Sequence, residues 1–101
     1  MGEMVESKRK ARKANVKILN KKHIESERVR ELRVITKGGA FIVNIHPTTL
    51  DPRKRVVIVN NQPIGVATSV NKIALLIEEY FKKVQGMEPI AIYPVYQHPL
   101  V

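Results

Sequence analysis

The sequence has no cysteine, so disulfide bonds and thiolate metal ligands are excluded, and this composition fits an intracellular protein. It also lacks an apolar run long enough for a signal peptide or a membrane span, because the strongly apolar stretch 73–77 is far too short. Tryptophan is absent, and only three tyrosines and two phenylalanines occur, which leaves few aromatic side chains for stacking on bases. We therefore expect a cytoplasmic protein that does not enter membranes.

Acidic residues are scarce as well, and this scarcity argues against catalysis. Nine aspartates and glutamates stand against eighteen lysines and arginines, for a net charge of +9. A two-metal nuclease needs several convergent carboxylates, which the sequence does not offer. The three histidines, His23, His46 and His98, are not at metal-ligand spacing, and no common catalytic or nucleotide-binding motif occurs. The sequence predicts a protein that is not an enzyme and has no cofactor and no metal site.

Two local features resemble sites without the context that a site needs. His46 and Asp51 flank a loop and could form an acid–base pair, but such a pair is more often part of a turn. Gly38 and Gly39 are followed by a strand pattern and not by a helix, so they predict a hairpin turn and not a phosphate-binding loop. A nuclease or toxin-like enzyme built on His46 and Asp51 is therefore the weakest of the alternatives.

What the sequence does contain is positive charge, concentrated near the N-terminus. Residues 1–22, the basic arm, hold eight lysines and arginines against two glutamates, a net charge of +6, and the remaining residues carry +3. Like charges at this density keep a segment solvated, so we expect the arm to be disordered. Such a concentration is typical of a protein that binds a polyanion. The basic residues of the arm are Lys8, Arg9, Lys10, Arg12, Lys13, Lys17, Lys21 and Lys22.

The pattern beyond the arm predicts an α+β domain. Residues 29–36 alternate in polarity and precede Gly38–Gly39, and the nearly all-apolar run 40–46 then predicts an interior strand covered on both faces. A second hairpin follows around Asn60 and Asn61, with Pro63 indicating an edge strand. We expect a small antiparallel sheet of about four strands in two hairpins, covered on one face by one amphipathic helix. The other face is open or covered by a dimer partner.

The helix begins after Ser69, a good N-cap, and ends before Gly86. Leu75, Leu76 and Tyr80 widen its apolar arc beyond one stripe, so we expect it to contact more than its own sheet and the protein to form a homodimer. The residues predicted to face the core are Val70, Ile73, Ala74, Ile77, Phe81 and Val84.

Three prolines in the last residues exclude a helix there. Residues 90–93 can pair briefly with the sheet, and an extended Pro- and Tyr-containing segment follows. The chain thus divides into the basic arm, 1–22, and one α+β domain, 23–101.

Cations outside the arm predict further phosphate contacts, although charged residues also protect edge strands from pairing. The candidates are Arg30 and Arg33 on the first long strand, Arg53, Lys54 and Arg55 before the third, and the tyrosines Tyr93 and Tyr96 as stacking side chains. Regular alternation places Arg30 and Arg33 on opposite faces of their strand.

The favoured hypothesis is a non-enzymatic nucleic-acid-binding protein that contacts mainly the phosphate backbone of DNA or RNA, with low sequence specificity. The alternative is a protein–protein interaction module, such as a small viral or regulatory subunit, whose basic arm is a tether. No motif identifies a family. In size, basic arm and sheet-plus-helix layout, the chain resembles small chromatin or single-strand-binding proteins of thermophilic archaea, and its residue usage is compatible with a thermophile.

Overall fold

The computed structural model describes residues 14–26, 29–51 and 53–95. These residues form an α+β fold in which one long helix lies on a six-stranded mixed sheet. The elements, in chain order, are β1 Lys17–Ile18, α1 Lys21–Glu25, β2 Glu31–Thr36, β3 Gly39–Pro47, β4 Arg55–Val59, β5 Gln62–Ala67, α2 Val70–Tyr80 with a π-helical turn at Phe81–Gln85, and β6 Pro89–Pro94.

The strand order in the sheet is β1-β6-β2-β3-β4-β5. Strands β2 to β5 form an antiparallel meander, which confirms both predicted hairpins. After α2 the chain returns to the opposite side of this meander, where β6 pairs antiparallel with β2. The two-residue β1 then pairs parallel with β6, so the expectation of about four strands is too small.

The turn residues explain why both hairpins form. Asn60 and Asn61 both have positive φ angles, 52° and 66°, as a two-residue turn between twisted strands requires. In the first hairpin Gly39 has a φ of 133°, a value that residues with a Cβ atom rarely adopt. Pro63 lies in β5, which is an edge strand as predicted, and Pro47 ends β3.

Helix α2 begins as the sequence predicts, because the Ser69 side chain accepts a hydrogen bond from the Lys72 backbone N–H at 3.1 Å. Five of the six predicted core positions are buried, but Val84 is 63% exposed. The reason is the π-helical turn, which changes the angular spacing of the residues after Tyr80 and rotates Val84 into solvent. The helix ends at Gly86, whose φ is 65°.

The core lies between α2 and one face of the sheet. It contains Leu32 and Val34 from β2, Val43 and Ile45 from β3, and Val57 from β4, all nearly inaccessible to solvent. Phe41 packs against Phe81 with ring centroids 5.2 Å apart. Since α2 covers only this side, β3 is interior to the sheet but is not covered on both faces: Ile42, on the other side, is 42% exposed.

The domain begins earlier than residue 23. Val16 is only 5% exposed and belongs to the core, β1 follows it, and α1 starts at Lys21. The apolar residues Val16, Ile18 and Leu19 predict a short strand or docking segment here, and β1 is that strand. The prediction that the whole of 1–22 is a disordered arm is therefore wrong for residues 14–22, and residues 1–13 lie outside the described part of the chain.

Candidate nucleic-acid interface

The strand register gathers several predicted cations at one end of the sheet. There β2 begins, β3 ends, β4 begins, and α1 follows β1. The first residues of α2 lie there too, because Ala67 at the end of β5 pairs with Arg55 at the start of β4. We call this the basic end. Its exposed cations are Lys21, Lys22, Arg30, Arg53 and Lys54.

The described part of the basic arm begins at the same end of the sheet. The Ala14 backbone N–H donates to Asn71 Oδ1 at 3.2 Å, and Asn71 lies in the first turn of α2. One residue later, the Asn15 N–H donates to Glu78 Oε2 at 3.1 Å. Lys21 and Asn71 line the same surface cavity, of about 280 Å³. Ala14, the first described residue, is therefore fixed beside the cations of the basic end.

The loop between β3 and β4 presents Arg53 and Lys54 on a well-bonded turn. The Thr48 hydroxyl donates to the Asp51 carbonyl oxygen at 2.6 Å, and the Lys54 N–H donates to the same oxygen at 2.9 Å. The Asp51 carboxylate accepts from the Arg53 backbone N–H at 3.1 Å. That hydrogen bond, followed by the Arg53 side chain and the charge of Lys54, lowers the pKa of Asp51. The Asp51 carboxylate thus stabilises the turn, and His46 lies on β3.

Arg55 is placed differently from its two basic neighbours. It is only 5% exposed, and its Nη1 donates to the carbonyl oxygens of Ile24 at 2.7 Å and Ser26 at 3.3 Å. The alternation of β4 puts Arg55 on the same face as Val57 and Val59, which explains its burial. Its guanidinium attaches α1 to the sheet, so the prediction of Arg55 as a phosphate contact is not retained.

Three other predicted residues lie on the sheet face opposite α2, which we call the uncovered face. Tyr93 in β6 pairs with Arg33 in β2, and Lys17 in β1 pairs with Ala91 two residues before Tyr93. Their strand neighbours Ile18, Leu32, Val34 and Ile92 all pack in the core, so alternation directs Lys17, Arg33 and Tyr93 to the other side. Arg33 lies on the uncovered face, whereas Arg30 precedes β2 at the basic end.

Sequence reasoning missed Ile42 as part of this face. Ile42 pairs with Arg33, so Tyr93, Arg33 and Ile42 form one row across three strands. The predicted turn at Gly38 and Gly39 differs by one residue from the observed turn at Lys37 and Gly38, so the prediction did not give the pairing of Ile42 with Arg33. The remaining predicted residues, Lys8, Arg9, Lys10, Arg12, Lys13 and Tyr96, lie outside the described residues.

The described residues set two further limits on the chemistry. In residues 14–26, 29–51 and 53–95, no three histidine or carboxylate side chains come together in a way that could hold a metal ion. Over the same ranges, no helix has the length and apolar character needed to cross a bilayer.

Comparison of the chain with protein-family models, curated proteins and solved structures finds no match. The functional argument therefore depends on the residues and geometry described above.

Proposed function

We propose that the protein is a non-enzymatic nucleic-acid-binding protein that grips the phosphate backbone with little sequence specificity. The observation that carries this proposal is the convergence of positive charge: the basic arm joins the fold beside Asn71, at the end of the sheet where the exposed cations of the basic end lie. A cationic segment attached next to the cations of the folded domain suits a polymer whose charges repeat along its length.

The expected binding is strongly dependent on salt. If about eight phosphates are engaged, log K falls against log salt concentration with a slope of roughly −6 to −7, because each contact releases counterions. Sequence contributes little, since phosphate contacts carry no base information. Fluorescence anisotropy with labelled single-stranded DNA, duplex DNA and RNA over a series of salt concentrations measures the slope. A flat salt dependence for all three ligands would rule the proposal out.

A full-length variant separates the arm from net charge in general. Replacing Lys8, Arg9, Lys10, Arg12 and Lys13 by glutamine should make the slope less negative by about 4. The control replaces Lys37, Lys82 and Lys83, which lie at the opposite end of the fold from the basic end, by glutamine. If the cations act only through the net charge of the protein, the arm variant and the control variant should lose affinity in proportion to the number of charges that each one removes.

A protein-interaction module is the second candidate, and one feature favours it. Beside the edge strand β5 lies a surface groove of about 160 Å³, in which Val84 is 63% exposed. Its apolar lining is Ile64, Leu76, Tyr80 and Val84. A second copy of the chain docked there would form the predicted homodimer, and light scattering coupled to size-exclusion chromatography tests this. If Val84→Glu converts a dimer to a monomer, the groove is the interface; a wild-type monomer removes this candidate.

A further inference from the structure

The row formed by Tyr93, Arg33 and Ile42 is the most informative feature of the uncovered face. Cross-strand partners have Cβ atoms about 5 Å apart, so a phenol ring, a guanidinium and an aliphatic side chain lie side by side on three adjacent strands. All three lie on adjacent strands, none of which is at an edge of the six-stranded sheet. Arg33 is exposed, and within residues 14–26, 29–51 and 53–95 it forms no ion pair.

Apolar side chains border this row toward the β2–β3 turn and toward β4, whereas Glu31 and Asn44 border it toward the basic end. Ile42 is 42% exposed and Val66 on β5 is 48% exposed, and the alternation of β2 and β4 puts Ile35 and Ile58 on the same side. Helix α2 packs on the opposite side of the sheet. A sheet face that keeps several large apolar side chains in solvent is typical of a surface that takes a partner.

Charge indicates which partner this is. Lys17 and Arg33 lie on the uncovered face together with one acidic residue, Glu31, and the chain carries a net charge of +9, so a second copy placed against this face would bring like charges together. An anionic partner with flat apolar groups fits better. A single-stranded nucleic acid offers unpaired bases that stack on tyrosine or lie on aliphatic side chains, together with phosphates. In a duplex the base faces are covered by stacking and are not accessible to Tyr93.

We propose, on the premise of the proposed function, that the uncovered face binds single-stranded nucleic acid, with a base stacked on Tyr93 and the adjacent phosphates held by Arg33 and Lys17. Tyr93 lies near the end of β6, which is at the basic end because Pro94 pairs with Leu32 near the start of β2. A strand crossing the face therefore continues toward Arg30, Arg53 and Lys54. DNA and RNA share this chemistry, and the experiment includes both.

The chain contains no tryptophan, so a single indole reports on one position. In Tyr93→Trp, stacking of a base on the indole should quench its emission when oligothymidylate or oligouridylate is added, and duplex DNA should quench it far less. The matched control is Tyr80→Trp, another half-buried tyrosine, which lies on α2. Its emission should stay unchanged by any of these ligands.

Affinity gives the second readout. Tyr93→Leu keeps an apolar strand residue but removes the ring, so the Kd for both single-stranded ligands should rise by about 5- to 150-fold, with the Kd for duplex DNA changed less than about twofold. Arg33→Gln should make the single-strand salt slope less negative by about 0.7, while Lys37→Gln in the β2–β3 turn should leave it unchanged. Urea unfolding of each variant establishes that it remains folded under the assay conditions.

The outcomes separate this inference from its premise. If the arm variant weakens binding to all ligands but the indole at position 93 is not quenched and Tyr93→Leu binds normally, the inference is overturned and the proposed function stands. If no ligand binds in a salt-dependent manner, both fail. If the wild type is a dimer that Ile42→Lys dissociates, the uncovered face belongs to a second copy and the inference is also overturned.

Discussion

The carboxylate of Glu78, fully buried on α2, accepts a hydrogen bond from the backbone N–H of Asn15, a residue 63 positions earlier in the chain. Asn71, two helical turns before Glu78, accepts from Ala14 in the same way. These two contacts fix the course of the chain as it leaves the folded domain. An acidic side chain in a strongly basic protein thus has a structural role in positioning the basic arm.

Replacing Glu78 by alanine should release this segment. The Asn15 N–H loses its acceptor and a buried side chain is deleted, so we expect the free energy of unfolding to fall by about 2 kcal/mol. Amide hydrogen exchange at Asn15 and tryptic cleavage after Lys17 should both accelerate. Glu79→Ala, which removes the neighbouring exposed carboxylate, is the control. Equal exchange at Asn15 in the two variants would show that Glu78 does not hold this part of the chain.

Arg53 and Arg55 are close in sequence, but substitution by methionine should change the stability of the protein by very different amounts at the two positions. Arg55→Met removes the donor to the Ile24 and Ser26 carbonyl oxygens, so stability should fall by about 2 kcal/mol and α1 should exchange faster. Arg53→Met changes an exposed side chain and should alter stability by less than about 0.5 kcal/mol. Urea denaturation measures both values. A destabilisation by Arg53→Met that matches that of Arg55→Met would contradict this assignment.

The packing of α2 on β5 depends on the absence of a side chain at position 65. A methyl group at Gly65 would lie 2.8 Å from both Cδ atoms of Leu76. Gly65→Ala should therefore push Leu76 outward and cost about 1 kcal/mol of stability. Because the two residues touch, the double variant Gly65→Ala/Leu76→Ala should be less destabilised than the sum of the single variants. Strict additivity in a double-mutant cycle would argue against this contact.

The turn at Asp51 gives a prediction for acid pH. The pKa of Asp51 is lowered first by the backbone N–H of Arg53 and then by the Arg53 side chain. Because the folded pKa lies below the unfolded value, the stabilisation is present above the unfolded pKa, about 4, and is lost as the pH falls through the folded pKa. Arg53→Gln should raise the pKa only part of the way, since the backbone donor remains. An NMR titration of the Asp51 carboxyl carbon measures this, and full recovery of the ordinary pKa would contradict it.

The elements that were predicted correctly have strong local signals. Asn60 and Asn61 tolerate positive φ, and Ser69 caps a helix whose apolar stripe begins at the next residue. The π-helical turn was not predicted because periodicity assumes a constant angle per residue, and Val84 shows the error. Strand β1 has two residues and pairs with β6, so the apolar signal at Val16 and Ile18 could not by itself distinguish a strand from a docking segment.

For the candidate site, the sequence predicted which residues are charged but not how they are arranged in space. Sequence identified the basic residues, but only the register shows that Arg53 and Lys54 lie at the end of the sheet where α1 and the arm join it. The run 40–46 predicts a strand buried on both faces because an apolar residue exposed on a sheet face looks the same in sequence as one that packs in a core. The burial of Arg55 could have been predicted from the sequence, since strand alternation puts Arg55 on the same face as Val57 and Val59.

The parallel pairing of β1 with β6 has a consequence for biosynthesis. Lys17 pairs with Ala91, and Ile18 with Ile92, so an edge near the start of the chain awaits partners that are translated near its finish. The meander β2 to β5 is continuous in sequence and can assemble during synthesis, whereas β1 gains its strand partner only after β6 has been made. Docking of β1 is therefore a late step in the completion of the sheet.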